Sequence, residues 1–409
     1  MKRKLFTQIT NEWRDNIWMI IELAIVTGAI WILIVLCWGI AKGKFQPKGF
    51  DIEDVYAANI EFITSDSPEF QPPVNSDQYD YYGARKALLT KIRNHPLVEK
   101  AGLSQNAFPY FLNYNGNALT IEGSDDSIHY YGNVRMMSPD LVHVFRLKSL
   151  TGKTSDQLEK ILREGKILVS SNKDYSNKNR DPKDLIGKHV STTYGESSYT
   201  VGDLIVHIRR NEYEHIFGGT VVLPLIEDSV WCKDLAIRAK PGKGSEFMEA
   251  FRTDPDLRRY GNVYLTDMQS FSDIRHNKQR NYTTQLNAFI ILILFLLVVV
   301  FLGLLGTFWF RMQQRTGEVA IRMVCGATKG QIFRRVISEG LILLLFGFLL
   351  ISVALWPFYK KFDTALSWET ILICELVAVA LVASGVVISL WWPARKIMNI
   401  EPAVAVKEE

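Results

Sequence analysis

Four apolar runs, at residues 17–40, 286–310, 336–358 and 371–392, constrain this chain of 409 residues more than any other feature. About 20 residues of apolar helix cross the ~30 Å hydrocarbon core of a bilayer, and each run reaches that length between polar or charged borders. The runs therefore predict four transmembrane helices, and four buried helices of a soluble protein are the weaker reading. Mean hydropathy is only +0.03 because a polar insert at 42–283, long enough for one large or two small domains, averages against the spans. Of the ten tryptophans only Trp231 lies away from these segments, while Trp309, Trp356, Trp368, Trp391 and Trp392 stand near their ends, where an indole suits the headgroup region. The first run exceeds the apolar region of a signal peptide, and no small-x-small cleavage pattern follows it, so it is read as a helix that stays.

Lysine and arginine set the orientation. Lys2, Arg3, Lys4 and Arg14 precede the first span; Arg311, Arg315, Arg322, Lys329, Arg334 and Arg335 occupy the 311–335 loop; Arg395 and Lys396 follow the last span. Both termini and that loop are expected on the cytoplasmic side, and 42–283 outside, in a multi-pass membrane protein. Lys360 and Lys361 oppose the trend weakly. Leu5, Phe6, Ile9, Trp13 and Ile17 recur at helical spacing among basic residues, which predicts an amphipathic helix over 1–16 on the inner leaflet, with a plain extension of the first span as the alternative.

The net charge of +4 is mild and concentrates beside membrane ends, which fits anionic lipid headgroups and excludes a nucleic-acid reader. Of four cysteines, Cys37 and Cys374 fall in spans, Cys325 in the loop and only Cys232 in the outer insert, so no disulfide is expected there. No cysteine or histidine spacing suits a metal, and none is expected. No catalytic set is legible, and His207, His215 and His276 read as structural or surface residues.

The insert reads as α+β. Residues 55–64 are strand-like, Tyr81, Ala84, Leu88, Leu89 and Ile92 form a helix face stopped by His95-Pro96, and a second strand-like stretch follows. Leu235, Ile237 and Ala239 alternate before a Pro241-to-Gly244 turn, a short helix that Ser245 is placed to cap, and a return strand at 263–266. Two β-α-β units flanking a long middle predict a split subdomain, about 45–112 and 232–270, interrupted by a β-rich insertion at about 113–231.

In the 311–335 loop, Thr316 or Gly317 is placed to cap a short helix with Glu318 in its first turn, and Gly326 to end it. Thr328 and Gln331 then stand in the T-x-x-Q relation of a capping box that starts a helix running into the third span. By physics alone this is a well-capped connecting loop. The order Gly303-Leu-Leu-Gly306, Arg315-Thr-Gly-Glu-Val-Ala-Ile-Arg322, Gly326-Ala-Thr328 and Glu339-Gly340, with Pro393-Ala-Arg-Lys396 and Ile400-Glu-Pro-Ala403, resembles the signature of the FtsX-like and MacB-like permeases, the four-helix membrane subunits of ABC transporters. These motifs span roughly the last third of the chain; the insert matches by layout, and the first span departs from the family's small-residue-rich character.

The resemblance implies that the short cytoplasmic helix docks on an ATPase subunit, with Glu318, Ile321, Arg322, Gly326, Ala327 and Thr328 as the coupling site. It implies two ATPase copies, a second identical or related permease, room for periplasmic or outer-membrane partners, and mechanotransmission that drives export or efflux of a peptide, drug or envelope component. No cofactor is expected on this chain, and ATP and Mg are expected on the partner. Gly152-Lys-Thr154 has Leu147 where a phosphate loop needs its first glycine, and Gly242-Lys-Gly-Ser245 fails the pattern, so the chain is read as non-catalytic. Lipoprotein extraction or regulation of a cell-wall hydrolase keeps the architecture and changes the task. A receptor signalling to a kinase is the alternative from another class, and it calls for a cytoplasmic domain larger than the segment after residue 392. Glu22, Glu339 and Glu375 lie in the spans, where acids are functional candidates; anchoring near a hydrated end is favoured over a proton path.

Overall fold

The computed structural model describes residues 13–45, 47–72, 81–105, 107–111, 116–122, 129–170, 182–192, 198–213, 219–225, 232–362 and 367–398. The expected surface helix over 1–16 lies almost wholly outside these residues, as do Trp231, His215 and the Ile400-to-Ala403 motif. Two compact units result, one comprising Met1–Lys42 with Tyr282–Glu409 and the other Gly43–Asn281.

The first unit is helical. Helix α1 (Trp13–Lys44) and three later ones, α6 (Phe271–Gln314), α8 (Lys329–Phe362) and α9 (Trp368–Ile397), are long and apolar enough to cross a membrane. Helix α6 begins well before the apolar run at 286–310, because its polar first turns are helical as well. Ile371, Cys374, Ala378, Val382, Val386, Leu390, Ala394 and Ile397 recur every three or four residues and make one buried stripe down α9. Helices α1 and α8 approach closely through glycine: a Cβ on Gly347 would sit 2.9 Å from the Ile20 carbonyl oxygen, and one on Gly28 would sit 2.6 Å from Ile351 Cγ1. Without a hydrophobic drive between helices in lipid, such backbone contact is a main source of packing energy. At the end of the bundle Trp309 stacks on Trp392 with ring centroids 4.7 Å apart, and Lys396 Nζ lies 4.1 Å from the Trp309 centroid.

The second unit is α+β, built on twelve strands among the described residues. Strands β1 (Val55–Phe62) and β2 (Val98–Gln105) both pair antiparallel with β9 (Asp234–Ala239), so the strand from late in the chain is inserted between the two early ones. Strand β11 (Val263–Leu265) extends this sheet beyond β1. Helices α2 (Tyr81–Arg93) and α5 (Gly244–Thr253) cover one face through Leu88, Leu89, Ile92, Phe247 and Phe251. Along β1, Tyr56, Ala58 and Ile60 meet those helices while Val55 and Ala57 enter a second core with Phe108, Phe145 and Phe271. Both faces are covered, so β1 is buried at successive positions instead of alternating with solvent.

Ser245 does not cap α5. Lys243 holds the N-cap position without a side-chain cap hydrogen bond, and Gly244 is already helical, buried where a Cβ would come within 2.3 Å of the Tyr56 hydroxyl oxygen. The helix starts early because glycine alone fits under Tyr56.

The insertion is a ring of strand pairings. Strands β3 (Gly116–Ile121), β4 (His129–Met137), β5 (Ile167–Ser170), β6 (His189–Thr192), β7 (Ser198–Ile205) and β8 (Gly219–Pro224) follow the order β4-β3-β6-β7-β5-β8, and a parallel β4–β8 pairing closes it. Closure leaves no free edge within the ring. Its interior holds Leu119, Tyr130, Ile167, Val169, Val201 and Val221, and the buried Tyr130 hydroxyl donates to the Ser170 carbonyl at 2.6 Å. Short helices α3 (Leu141–Val144) and α4 (Ser155–Arg163) lie in the chain between β4 and β5.

Candidate coupling site

Helix α7 (Thr316–Val324) follows α6 almost without a break and is amphipathic in its surroundings. Gly317 and Ala320 are buried and Val319 and Met323 pack on the helical core, while Ile321 and Val324 are 55% and 70% exposed. These two β-branched aliphatic side chains stand one turn apart on the outward face.

The start of α7 differs from the sequence expectation. Arg315 takes the N-cap position with no side-chain cap, and the Thr316 hydroxyl points backward, donating to the Gln313 carbonyl at 2.8 Å and that of Met312 at 3.2 Å. The unsatisfied carbonyls at the end of α6 compete for the hydroxyl and win, because they lie within its own previous turn. Gly317 is inside the helix, where its lack of a side chain lets the backbone pack.

The end of α7 is as expected from local chemistry. Gly326 has φ +94°, its amide donates to the Met323 carbonyl at 3.0 Å, and the Ala327 amide donates to that of Arg322 at 3.0 Å. These are the two bonds of a Schellman motif, and only glycine adopts that backbone without strain. Two residues later the Gln331 amide donates to Thr328 Oγ1 at 3.3 Å while Gln331 Oε1 accepts from the Thr328 amide at 3.1 Å, a complete capping box at the head of α8. Stop and start are separated by Ala327, whose methyl group packs on the helical core.

Of the six residues singled out from sequence, Glu318 and Arg322 form an i,i+4 ion pair on α7, Ile321, Gly326 and Thr328 are exposed, and Ala327 is half-buried. Sequence reasoning missed Val324, which the three-residue spacing from Ile321 would have found, and the pairing of Arg315 with Glu339. Arg315 Nη1 lies 3.1 and 3.4 Å from the two oxygens of Glu339, which is buried in α8, so the head of α7 is tied to α8 by charge as well as by chain. The other two intramembrane acids sit elsewhere. Glu375 accepts from Ser352 Oγ at 2.8 Å, and the half-buried Glu22 places Oε1 where a Cβ on Gly303 would be 2.6 Å away.

Spacing along the chain gave no metal-binding pattern, but folding gathers His143, Asp156 and Glu159, with His143 Nε2 at 3.3 Å from Asp156 Oδ1 and 2.8 Å from Glu159 Oε2. Glu159 also binds Arg163, and although burial raises its carboxyl pKa, that hydrogen bond and the charges of Arg163, Lys100 and His143 outweigh it and hold the group below the ordinary glutamate range. A carboxylate already compensated by that many cations belongs to an ion-pair network.

Residues 290–402 match the family model described as FtsX-like permease C-terminal. No curated protein matches the sequence. Among solved structures, the extracellular domain of the noncanonic ABC-type transporter YknZ from Gram-positive bacteria aligns with 52% of this chain and 100% of its own at 9% identity and a TM-score of 0.31. The periplasmic region of MacB from Actinobacillus actinomycetemcomitans aligns with 58% and 97% at 8% identity and a TM-score of 0.31.

Proposed function

From the premise that residues 290–402 carry an FtsX-like permease C-terminal domain, we propose that the chain is the permease subunit of an ABC system and works by mechanotransmission. Helix α7 docks on a separate ATPase subunit through Ile321, Val324 and the Glu318–Arg322 pair. Motion received there passes into α8 across the Schellman turn, the capping box and the Arg315–Glu339 contact. Two copies of the permease, identical or related, meet two ATPase subunits, which hold the ATP and Mg. Both termini and the 311–335 loop face the cytoplasm, and residues 42–283 act outside it on an exported peptide, drug or envelope component.

The observation that carries this reading is the construction of α7: a helix capped off at one end, pinned by charge at the other, with its outward face left apolar. The test is a pulldown of the full chain in gentle detergent, read by mass spectrometry, comparing wild type with the double reversal Glu318→Lys, Arg322→Glu. The reversal keeps an intrahelical pair and inverts the face that a partner meets, at a cost of ~0.3–1 kcal/mol for each charge that now opposes the helix dipole, so the folded state of the variant is checked alongside. A Walker-motif ATPase recovered with wild type and lost with the variant is the expected result. Absence of any ATPase after crosslinking, with the chain folded and inserted, overturns the transporter reading in favour of a receptor. A co-recovered lipoprotein would identify extraction as the task.

A further inference from the structure

Glu212 is 1% exposed, yet it is a carboxylate in a loop. Four bonds compensate it. Lys48 Nζ lies 2.8 Å from Oε1 and Tyr110 Oη donates to the same oxygen at 2.9 Å. Arg275 grips both oxygens, Nε at 2.8 Å from Oε1 and Nη2 at 3.0 Å from Oε2, in the parallel fork that suits a guanidinium.

The Gly43–Asn281 unit is joined to the rest of the chain twice, by the segment leaving α1 and by α6. Lys48 lies on the first connection and Arg275 early on the second. The backbone follows the same plan: the Arg209 amide donates to the Lys48 carbonyl at 3.3 Å, the Arg209 guanidinium donates to the Gly43 carbonyl, and the Tyr110 amide donates to the Arg210 carbonyl at 2.7 Å. Gly43 and Gly49 allow this approach, since a Cβ on Gly43 would lie 2.2 Å from the Glu212 carbonyl oxygen and one on Gly49 2.3 Å from that of His207. Segment 206–213 follows β7 directly and leads toward β8, so what grips both connections is continuous with the strand ring.

We propose that Glu212 is a latch that holds both connections of the extracytoplasmic domain together, so that displacement of either reaches segment 206–213 and the ring strands β7 and β8. Its use in transmitting motion rests on the transporter reading above; its existence as a latch does not. Glu212 is a positioning residue, and a buried carboxylate shared by two segments joins them more stiffly than apolar contact because moving either one strips it of a charged partner.

Hydrogen exchange on the full chain in lipid nanodiscs tests the latch. Glu212→Gln keeps the shape and removes the charge, and is expected to speed exchange at 43–50 and 271–281 together, at least about tenfold, with β2 and β9 unchanged. Unchanged exchange at both connections overturns the proposal. Should the variant loosen β2 and β9 as well, Lys48→Met with Arg275→Met replaces it, and the proposal fails if that pair leaves both connections as slow as in wild type. On the complex with its co-purified ATPase, ATP with orthovanadate is expected to change exchange at 43–50, 206–213 and 271–281 in wild type, and to leave 206–213 unmoved in Glu212→Gln. A response at 206–213 that survives in the variant overturns the latch. A wild-type complex indifferent to nucleotide removes the transporter reading, while the first measurement still decides the latch.

Discussion

Protonation of His207 is expected to set the acid stability of the Gly43–Asn281 unit. Its ring lies with Nδ1 3.2 Å from Ser170 Oγ and 3.1 Å from Thr220 Oγ1. Burial, and then the positive charges of the buried Arg135 and Arg209, push its pKa from 6.5 down to about 4. In the folded chain the imidazole is therefore neutral over a range where the unfolded chain binds a proton. The stability contribution is complete above pH 6.5 and is lost as pH falls from 6.5 toward 4. The full shift corresponds to roughly 3.4 kcal/mol, of which about 2 kcal/mol is lost by pH 5. Glu212 and Glu159, whose pKa values lie below the ordinary 4.5, lose their contributions only at more acid pH, below the window from 7 to 5. The assay is the opening free energy of β7 and β8 amides in the full chain, by native-state hydrogen exchange at pH 7 and pH 5, for wild type and His207→Gln. Glutamine offers hydrogen-bonding atoms to the same hydroxyls and carries no proton equilibrium. Wild type is expected to lose about 2 kcal/mol more than the variant between the two pH values. Equal losses would refute the assignment, whatever the absolute stabilities.

Two further predictions concern the helical unit. Arg315→Met strips the buried Glu339 of its cation and is expected to destabilise the chain by about 2–3 kcal/mol in thermal unfolding in detergent, whereas Arg315→Met with Glu339→Met recovers most of the loss; a double variant no better than the single one would deny the coupling. Gly326→Ala adds a Cβ that meets nothing within 4 Å, so its cost is backbone strain alone, about 1 kcal/mol at φ +94°, and Gly326→Asn is expected to cost less. Equal melting temperatures for Gly326→Ala and wild type would show that the turn relaxes.

What could be read from sequence was what local chemistry decides. The spans are legible because a bilayer demands a contiguous apolar length, and the Gly326 turn and Thr328–Gln331 box because each closes within six residues. The same local rules failed where a neighbour competed. Thr316 had carbonyls of α6 to bond, and Ser245 was displaced from the cap by Gly244, which tertiary packing under Tyr56 made the better helix start. The first turns of α6 were invisible to a criterion that counts apolar residues, although Phe271 and Ile274, at helical spacing, are what fix that end in the second core.

The contacts made by Glu212 lie beyond any such reading. Its partners Tyr110 and Arg275 are 102 and 63 residues away in sequence, and the residue itself stands in a run of charged and polar neighbours that any hydropathy measure assigns to solvent. Glutamate is almost never buried unless it is paired, so its burial is information that only the fold supplies. A carboxylate removed from water must keep its cations, two of its cations sit on the two connections of one domain, and neither connection can leave without exposing or stranding the charge.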